Sequence, residues 1–172
     1  MSKEFSSFLI GGKDGLFDIF TGGDVIIRST KNGKIPLVSH QHEDNGIAKY
    51  IQPLNDRTLY CHKSTIALAD RGVFLATCQN EDFHIGTRVK ALCFKTGVKS
   101  KRVRLYFVAA INKLQISFTE YSSNATDKLP NLKITLPVTT DGSIDYEYME
   151  EVILEIEKEL KLELEKHLKL IC

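Results

Sequence analysis

The pattern of apolar and polar positions changes near residue 140, and the two parts of the chain predict different structures. Before that point, short apolar or β-branched runs bounded by turn residues predict strands. These runs lie at residues 25–27, 35–38, 65–68, 73–76 and 89–94. Residues 1–140 therefore predict an α/β (mixed α+β) domain with a mixed, partly antiparallel sheet.

Three glycine-containing pairs predict turns. Asn32-Gly33 predicts a tight type I′ turn, because both central residues need positive φ. Asn45-Gly46 predicts either the same turn or an exposed loop, and Arg71-Gly72 predicts a further turn. Residues 132–137 predict a short extended segment that ends at Pro137, because proline cannot donate to a sheet.

Residues 102–114 fit two patterns. Val103, Phe107, Ile111 and Leu114 recur at helical spacing, whereas Val103, Leu105 and Phe107 also alternate as in a strand. A helix is the favoured interpretation of this segment.

Residues 141–172 predict a second unit, one long helix. Asp145 is a suitable N-cap, and no Gly or Pro interrupts the chain from Tyr146 to Ile171. Apolar residues spaced by three or four form a near-heptad stripe. Its members are Met149, Ile153, Ile156, Leu160, Leu164, Leu168 and Ile171. At 1.5 Å per residue the helix would be roughly 39 Å long, so we expect part of the stripe to contact a partner. The alternative is that the helix folds back wholly on its own domain.

Charge is divided in the same way as the apolar pattern. Residues 1–140 hold 19 Lys and Arg against 12 Asp and Glu, whereas residues 141–172 hold 4 against 10. Between Asp82 and Glu120 there are eight basic residues and no acidic residue. This asymmetry favours a basic body that attracts a polyanion, with an ordinary solvated surface as the alternative.

Several classes of protein are disfavoured by composition. No run of about 18 apolar residues is present, and the N-terminus lacks the apolar core of a signal peptide, so we expect neither a membrane protein nor a secreted one. The four cysteines are scattered without a CxxC pair, which favours reduced thiols in the cytoplasm.

Motifs for catalysis and for cofactors are missing. Asp145 followed by Glu159-Leu160-Lys161 matches the string of a restriction nuclease, but it lies in the predicted helix, where its ligands would not face a cleft. The chain also lacks GxGxxG, the phosphate-binding P-loop and the Asn/Asp-Pro-Pro-Tyr motif of amino-methyltransferases. We therefore expect a protein that is not an enzyme and that needs no cofactor.

A metal site is disfavoured as well. His40 and His42 form a pair that Cys61, His62, Cys78 or His84 would have to complete. No spacing among them matches a zinc pattern. A solvated or DNA-facing loop is the favoured interpretation of residues 39–45, and we expect no metal.

Four stretches carry a resemblance to a known family. They are GLFDIFTGG at residues 15–23, GKIPLVSHQHEDNGIAKYI at 33–51, STIALADRGVFLATCQNEDFHIGTRVKAL at 64–92, and NLKITLPVTTDGSIDYEYMEEVI at 131–153. In this order they resemble the DNA specificity (S) subunits of type I and BcgI-like restriction–modification systems. A full S subunit has two recognition domains and two antiparallel helices, whereas this chain has one of each. It is either a half-subunit that dimerises or an isolated half.

The resemblance implies a DNA target-recognition domain at residues 1–140 and a spacer helix at 141–172. The helix is expected to form a homodimer and to bind methyltransferase or restriction subunits, which carry the chemistry. In such a domain, polar side chains on loops contact base edges of double-stranded DNA, and lysine and arginine contact phosphates. The base contacts that we predict are His40, Gln41, His42 and Asn45. The phosphate contacts that we predict are Lys49, Lys63, Arg71, Arg88, Lys99, Lys101 and Arg102.

Two alternatives remain open. In the first, the chain is the recognition domain of a single-chain type II restriction enzyme, and the helix is an internal linker. In the second, it is a module that binds RNA or protein. Enrichment of one motif from a mixed pool of duplex DNA distinguishes the second alternative from DNA recognition.

Overall fold

The structure is a computed structural model that describes residues 3–70, 74–118 and 125–171. The strands within these residues are β1 (Phe5–Leu9), β2 (Phe17–Thr21), β3 (Asn32–Val38), β4 (Ile47–Ile51), β5 (Thr65–Ala69), β6 (Leu75–Thr77), β7 (His84–Ile85), β8 (Val89–Phe94) and β9 (Lys133–Pro137). The helices are α1 (Lys101–Asn112), α2 (Ala125–Lys128) and α3 (Tyr146–Ile171). Short 3₁₀ turns lie at Ile27–Ser29, Asp44–Gly46, Lys113–Phe118 and Leu129–Asn131.

The strands form three sheets within the described residues. The main sheet is antiparallel, in the order β2-β8-β5-β6, with Phe17 opposite Phe94 and Ile66 opposite Leu92. A smaller sheet, β4-β3-β7, is mixed because β3 runs antiparallel to β4 and parallel to β7. The third is the antiparallel pair of β1 and β9. The predicted mixed α+β class with a partly antiparallel sheet is confirmed.

Helix α1 packs against the main core. Val103, Phe107 and Ile111 are buried there. The rings of Phe17, Phe94 and Phe107 contact one another with centroids 4.7–5.8 Å apart. The helix begins after Ser100, whose Oγ accepts a hydrogen bond from the N–H of Val103 at 3.1 Å. The helical interpretation of this segment is confirmed.

A second, smaller core anchors β3 and β7 to the main sheet. Val38 and Ile85 from the small sheet are buried together with Ala67, Val89 and Ala91 from the main sheet. The end of β3 that leads into the loop between β3 and β4 is therefore packed against the main sheet.

Two local predictions are wrong. Asn32 and Gly33 lie inside β3, and neither has positive φ. The register of β3 and β4 shifts at this point, and a Cβ on Gly33 would lie 2.3 Å from the carbonyl carbon of Ile51. The glycine allows two strands to approach closely at an irregularity and does not form a turn.

Residues 25–27 do not form the strand that their apolar side chains predicted. The hydroxyls of Ser29 and Thr30 donate to the carbonyls of Ile26 and Ile27 at 2.8 and 2.7 Å, and these local bonds favour a 3₁₀ turn over an extended chain. The strand predicted at 73–76 corresponds to β6. The predicted Arg71-Gly72 turn lies outside the described residues.

Helix α3 has the bounds that the sequence predicted. The Oδ1 atom of Asp145 accepts a hydrogen bond from the N–H of Tyr148 at 2.9 Å, as expected of an N-cap. Met149 is fully buried in the main core, and Val152, Ile153 and Leu154 are half-buried. Every residue from 155 to 169, which we call the distal half of α3, is exposed. At 1.5 Å per residue the distal half is roughly 22 Å long, and only its start, at Ile156 and Glu157, lies beside α1.

This division corrects two expectations about the helix. The alternative that α3 folds back wholly on its own domain is wrong, because the distal half is exposed along its whole length. Met149 is not a partner contact, since its side chain already packs in the chain's own core. In the described part of the chain, no helix is long and apolar enough to cross a membrane.

Candidate nucleic-acid interface

The loop that joins β3 to β4, residues 39–46, is the hairpin tip. The N–H of Ser39 donates to the carbonyl of Gly46 at 2.8 Å and closes the loop. Asp44, Asn45 and Gly46 have φ values of 49°, 56° and 79°. Asp and Asn adopt this left-handed conformation more readily than other residues with a side chain. Of the two alternatives predicted for Asn45-Gly46, the structure has the loop, because both residues have positive φ but lie in a loop longer than a two-residue turn.

The four predicted base contacts all lie in the hairpin tip, but they differ in accessibility. The Nε2 atom of Gln41 donates to the carbonyl of Ile47 at 2.7 Å, so this amide holds the loop. His40 is half-buried, with Nδ1 at 3.3 Å from the Oγ of Ser39. His42 is exposed. Asn45 is exposed as well, but its Nδ2 donates to a carbonyl of the chain, whereas His42 has no such bond to the described residues.

A polar segment that sequence analysis did not single out, residues 78–82, lies against the tip. The Nδ2 atom of Asn45 donates to the carbonyl of Cys78 at 2.9 Å, and the Nε2 atom of Gln79 donates to the carbonyl of Asn45 at 3.0 Å. The signal in the sequence is a run of four polar residues, Gln79-Asn80-Glu81-Asp82, which begins three residues after the end of the strand predicted at 73–76.

An open cleft of about 640 Å³ lies between the tip, this segment and β4. The polar and aromatic residues in its wall are Asp44, Asn45, Lys49, Tyr50, Gln79, Asn80 and Glu81. Tyr50 is 50% exposed. Amides beside an exposed aromatic ring are groups that can hydrogen-bond to and stack on nucleobases.

Two of the predicted phosphate contacts are engaged inside the chain. The Nε atom of Arg102 donates to the carboxylate of Glu157 on α3 at 2.9 Å. The Nζ atom of Lys99 donates to the carbonyl of Thr96 at 3.0 Å and lies over the ring of Tyr146. Burial also lowers the pKa of the Lys99 ammonium. Both residues connect the body of the domain to α3.

The other predicted phosphate contacts are distributed over the domain. The Nζ atom of Lys49 lies in the wall of the cleft and donates to the carbonyl of Thr30 at 2.6 Å. Lys63, Arg88 and Lys101 are exposed. Arg71 lies outside the described residues. Of the predicted phosphate contacts, Lys49 thus lies beside the hairpin tip, and Lys63, Arg88 and Lys101 lie elsewhere on the domain.

The acid-free stretch between Asp82 and Glu120 is less available to a polyanion than its composition suggested. Lys90 is buried and pairs with Asp70 at 3.5 Å. Lys95 donates to the carbonyl of Lys13 at 2.9 Å, and Arg104 is 4% exposed. These cations hold the fold together through contacts with residues distant in sequence.

The histidines considered for a metal site have other roles. The Nδ1 atom of His84 donates to the carbonyl of Thr58 at 2.9 Å, and its Nε2 accepts from the N–H of Leu54 at 3.1 Å. His62 lies with Nδ1 at 2.7 Å from Asp82, and this hydrogen bond holds the pKa of the Asp82 carboxyl below its usual value. Among the residues that the structure describes, no three His, Cys, Asp or Glu side chains are grouped to hold a metal ion.

The residues of the nuclease-like string, Asp145, Glu159 and Lys161, do not come together in the structure. Asp145 caps the start of α3, whereas Glu159 and Lys161 lie in the distal half. Glu159 lies 14 positions after Asp145, a distance of about 21 Å along the helix axis. These residues therefore do not form one metal-binding or catalytic site.

Comparison with known proteins decides the family. Residues 14–166 match the model of the type I restriction modification DNA specificity domain. The chain belongs to this family of specificity domains. The match begins before β2 and ends within the distal half of α3, so it includes both the hairpin tip and most of the long helix.

A relative and two solved structures agree with this assignment. This specificity domain is 26% identical over 156 residues to the specificity subunit S.BcgI of a type II restriction enzyme from Heyndrickxia coagulans, covering 85% of this chain and 42% of the relative. Its fold is similar to the type I S subunit from M. genitalium, with a TM-score of 0.60, 15% identity, and coverage of 96% of this chain and 42% of that one. For the HsdS subunit from Thermoanaerobacter tengcongensis the corresponding values are 0.62, 14%, 92% and 38%. The chain thus spans less than half the length of the proteins that it matches.

Proposed function

We propose that this chain reads a specific sequence in double-stranded DNA as one half of a specificity subunit. The observation that carries the proposal is the family match, which extends across the hairpin tip and into the distal half of α3. The tip supports it, because it presents polar side chains on a loop that is fixed to a packed hairpin. Loops held by a rigid scaffold are the usual place for recognition residues.

The hairpin tip and the cleft beside it form the proposed base-reading surface. His42, Asn45 and, on the adjoining segment, Asn80 are exposed and are its proposed direct contacts. His40 and Gln41 are half-buried and shape the same surface from below. Amide side chains such as that of Asn80 pair well with the N6 and N7 positions of adenine in the major groove.

The proposed contacts to the phosphate backbone of DNA come from the predicted cations that are accessible. Lys63, Arg88 and Lys101 are exposed, whereas Lys99 and Arg102 contact α3 or its neighbourhood. Three phosphate contacts per protomer would give a slope of about −2.7 in log K against log salt. Each protomer is therefore expected to contact fewer phosphates than the charge pattern alone predicted.

The distal half of α3 is the proposed dimer interface. Ile156, Leu160, Leu164 and Leu168 are 45%, 59%, 63% and 56% exposed. Burying an exposed leucine contributes roughly 1.5–3 kcal/mol, and a second copy supplies a matching stripe. Ile153, which is half-buried, continues the stripe toward the domain.

Antiparallel pairing of two such helices would place the two recognition domains at opposite ends. The pair would then read a split, two-fold symmetric site with a fixed gap. Methyltransferase or restriction subunits would bind this assembly and supply the chemistry, which makes the chain a non-catalytic, cytoplasmic component of a restriction–modification system. The relative S.BcgI is itself described as the specificity subunit of a restriction enzyme.

A salt titration with matched duplexes tests the DNA-binding part of the proposal. Binding to duplex DNA should weaken steeply between 50 and 200 mM salt, with a slope of about −2.7 per protomer. A slope near zero at constant pH would rule out phosphate contacts. An RNA duplex of the same sequence is the second arm, and equal or tighter binding to RNA would favour the RNA-binding alternative.

A further inference from the structure

Arg104 is a buried cation on α1 that lies behind the hairpin tip. It is 4% exposed, and its Nη1 donates to the carbonyls of His62 and Gln79 at 2.7 and 3.0 Å. The same nitrogen lies 3.0 Å from the Sγ of Cys78. These acceptors are uncharged, although burying a cation is costly unless it is well hydrogen-bonded. Arg104 therefore fixes residues 78 and 79 to α1, in addition to stabilising the fold.

Gln79 connects Arg104 to the hairpin tip, because it accepts a hydrogen bond from Arg104 and donates one to the tip. Its side chain is 1% exposed, and its Nε2 donates to the carbonyl of Asn45 and to the Oγ1 of Thr77, both at 3.0 Å. Asn45 returns a hydrogen bond to the carbonyl of Cys78. A continuous set of hydrogen bonds thus connects α1, through residues 78 and 79, to the backbone of the hairpin tip.

The tip needs such support, because its backbone conformation is unfavourable. Asp44 and Asn45 both adopt left-handed φ. Asp and Asn tolerate this conformation better than other residues with a side chain, but two successive residues in it still need surrounding contacts to hold them. The contacts that hold Asn45 are those made by Gln79 and Cys78.

We propose that Gln79, whose backbone Arg104 holds in place, is a positioning residue that determines base specificity through the hairpin tip. This inference rests on the proposed function. Gln79 borders the cleft, but it is only 1% exposed, so its effect on a bound duplex must pass through the hairpin tip. Loss of its hydrogen bonds should leave general affinity for DNA intact and change which bases the tip distinguishes.

The first test needs no DNA. Gln79→Met keeps the volume of the side chain and removes both hydrogen bonds. Its matched control is Gln115→Met, because the Nε2 of Gln115 also donates to a distant carbonyl, that of Phe74, at 2.6 Å. Amide hydrogen exchange at residues 39–46 should become about tenfold faster in Gln79→Met and stay unchanged in the control. Unchanged exchange in Gln79→Met would overturn the positioning role.

The second test measures specificity. The site selected by the unmodified chain from randomised duplexes is compared with its single-base variants. In Gln79→Met, discrimination at the bases that the tip reads should fall by about tenfold. Affinity for random duplex and the salt slope should not change, and Gln115→Met should behave as the unmodified chain. Equal losses in both variants, or unchanged discrimination in Gln79→Met, would overturn the inference.

A milder variant covers the case in which Gln79→Met does not fold. Thr77→Val keeps the β-branched shape in β6 and removes one acceptor of the Gln79 amide. It should relax the same base positions by a smaller factor, and full discrimination in this variant would count against the inference. If the unmodified chain enriches no motif, the proposed function fails, and hydrogen exchange alone decides whether Gln79 positions the tip.

Discussion

The hairpin tip and the distal half of α3 are both exposed, but they are exposed for different reasons. In the tip, the amides of Gln41 and Asn45 are already hydrogen-bonded to carbonyls of the chain. In the distal half of α3, Leu160, Leu164 and Leu168 are more than half exposed. The tip is therefore ordered by its own contacts, whereas the helix lacks a covering surface in the described chain.

This difference separates discrimination from assembly. A loop that is held in place before binding loses less conformational entropy when it contacts a ligand. An apolar stripe, by contrast, gains free energy only when another surface covers it. We therefore expect changes in the helix to affect the whole complex, and changes in the tip to affect the choice of bases.

The largest effect is expected in the helix. Ile156→Glu combined with Leu160→Glu places two carboxylates in the stripe and should convert dimers to monomers. Loss of the second recognition domain should weaken binding to the selected site by at least on the order of 100-fold. Sedimentation and DNA-binding titrations of the purified variant measure both effects.

A control for this double variant lies on the other face of the distal half. Lys158→Gln combined with Lys161→Gln changes the net charge by the same amount and leaves the stripe intact. The control should remain dimeric and keep the melting temperature of the unmodified chain. The double Glu variant should still unfold cooperatively, but at a lower temperature, because it loses the stabilisation that dimerisation adds. A monomeric unmodified chain at tens of micromolar would contradict the pairing and reserve the stripe for a different subunit.

A smaller effect is expected in the tip. His42→Ala should cost about 1–3 kcal/mol of binding free energy on the selected site and little on random DNA, because His42 is exposed. Gln41→Ala should give a similar loss, together with faster hydrogen exchange in the tip, because its amide also holds the carbonyl of Ile47. Equal losses on specific and random DNA would show that the loop only contacts the backbone.

The start of α3 gives a prediction for stability. Asp145→Ala removes an N-cap and should lower the free energy of unfolding by about 1 kcal/mol at pH 7. The hydrogen bond from Lys3 is the main reason that the pKa of Asp145 lies below its ordinary value. Its stabilisation is therefore complete above the unfolded pKa of about 4 and is lost as the pH falls through the folded value.

Urea unfolding at pH 7 and pH 3 measures this difference. The unmodified chain and Asp145→Ala should become more alike at the lower pH. Glu151→Ala, on the same helix at an exposed position, is the control and should change little at either pH. A difference of equal size at both values would contradict the capping role.

The smallest effect separates two neighbouring cations on α1. Lys101→Gln should reduce the salt slope by about 0.9, the value for one phosphate contact. Arg102→Gln should leave the slope unchanged and cost less than about 1 kcal/mol of stability, because its partner is the exposed Glu157. Equal changes in the slope would show that Arg102 leaves Glu157 when DNA binds.

Local patterns predicted the elements that local physics determines. The bounds of α3 follow from an N-cap and a long run without Gly or Pro, and β8 follows from an apolar run bounded by turn residues. The turn predicted at Asn32-Gly33 is wrong, because glycine is also required where two strands approach each other closely, as Gly33 and Ile51 do.

Contacts between distant residues were not predictable from those patterns. The proximity of residues 78–82 to the hairpin tip depends on how two sheets pack, and the pairing of β1 with β9 joins opposite ends of the domain. Likewise, the charge pattern showed that Arg102 and Arg104 lie in a basic stretch, but not that α3 and buried carbonyls engage them.

Selection from randomised duplexes with the unmodified chain tests the account most directly, because it reports both regions at once. If two copies pair through α3 and each reads DNA, one enriched motif is expected. It should be an inverted repeat with the same gap between its halves in every selected sequence. The tip would determine the bases of each half, and the paired helices would determine the gap. Enrichment of a single half without a repeat would contradict the pairing of two helices, and the absence of any enriched motif would contradict DNA reading itself.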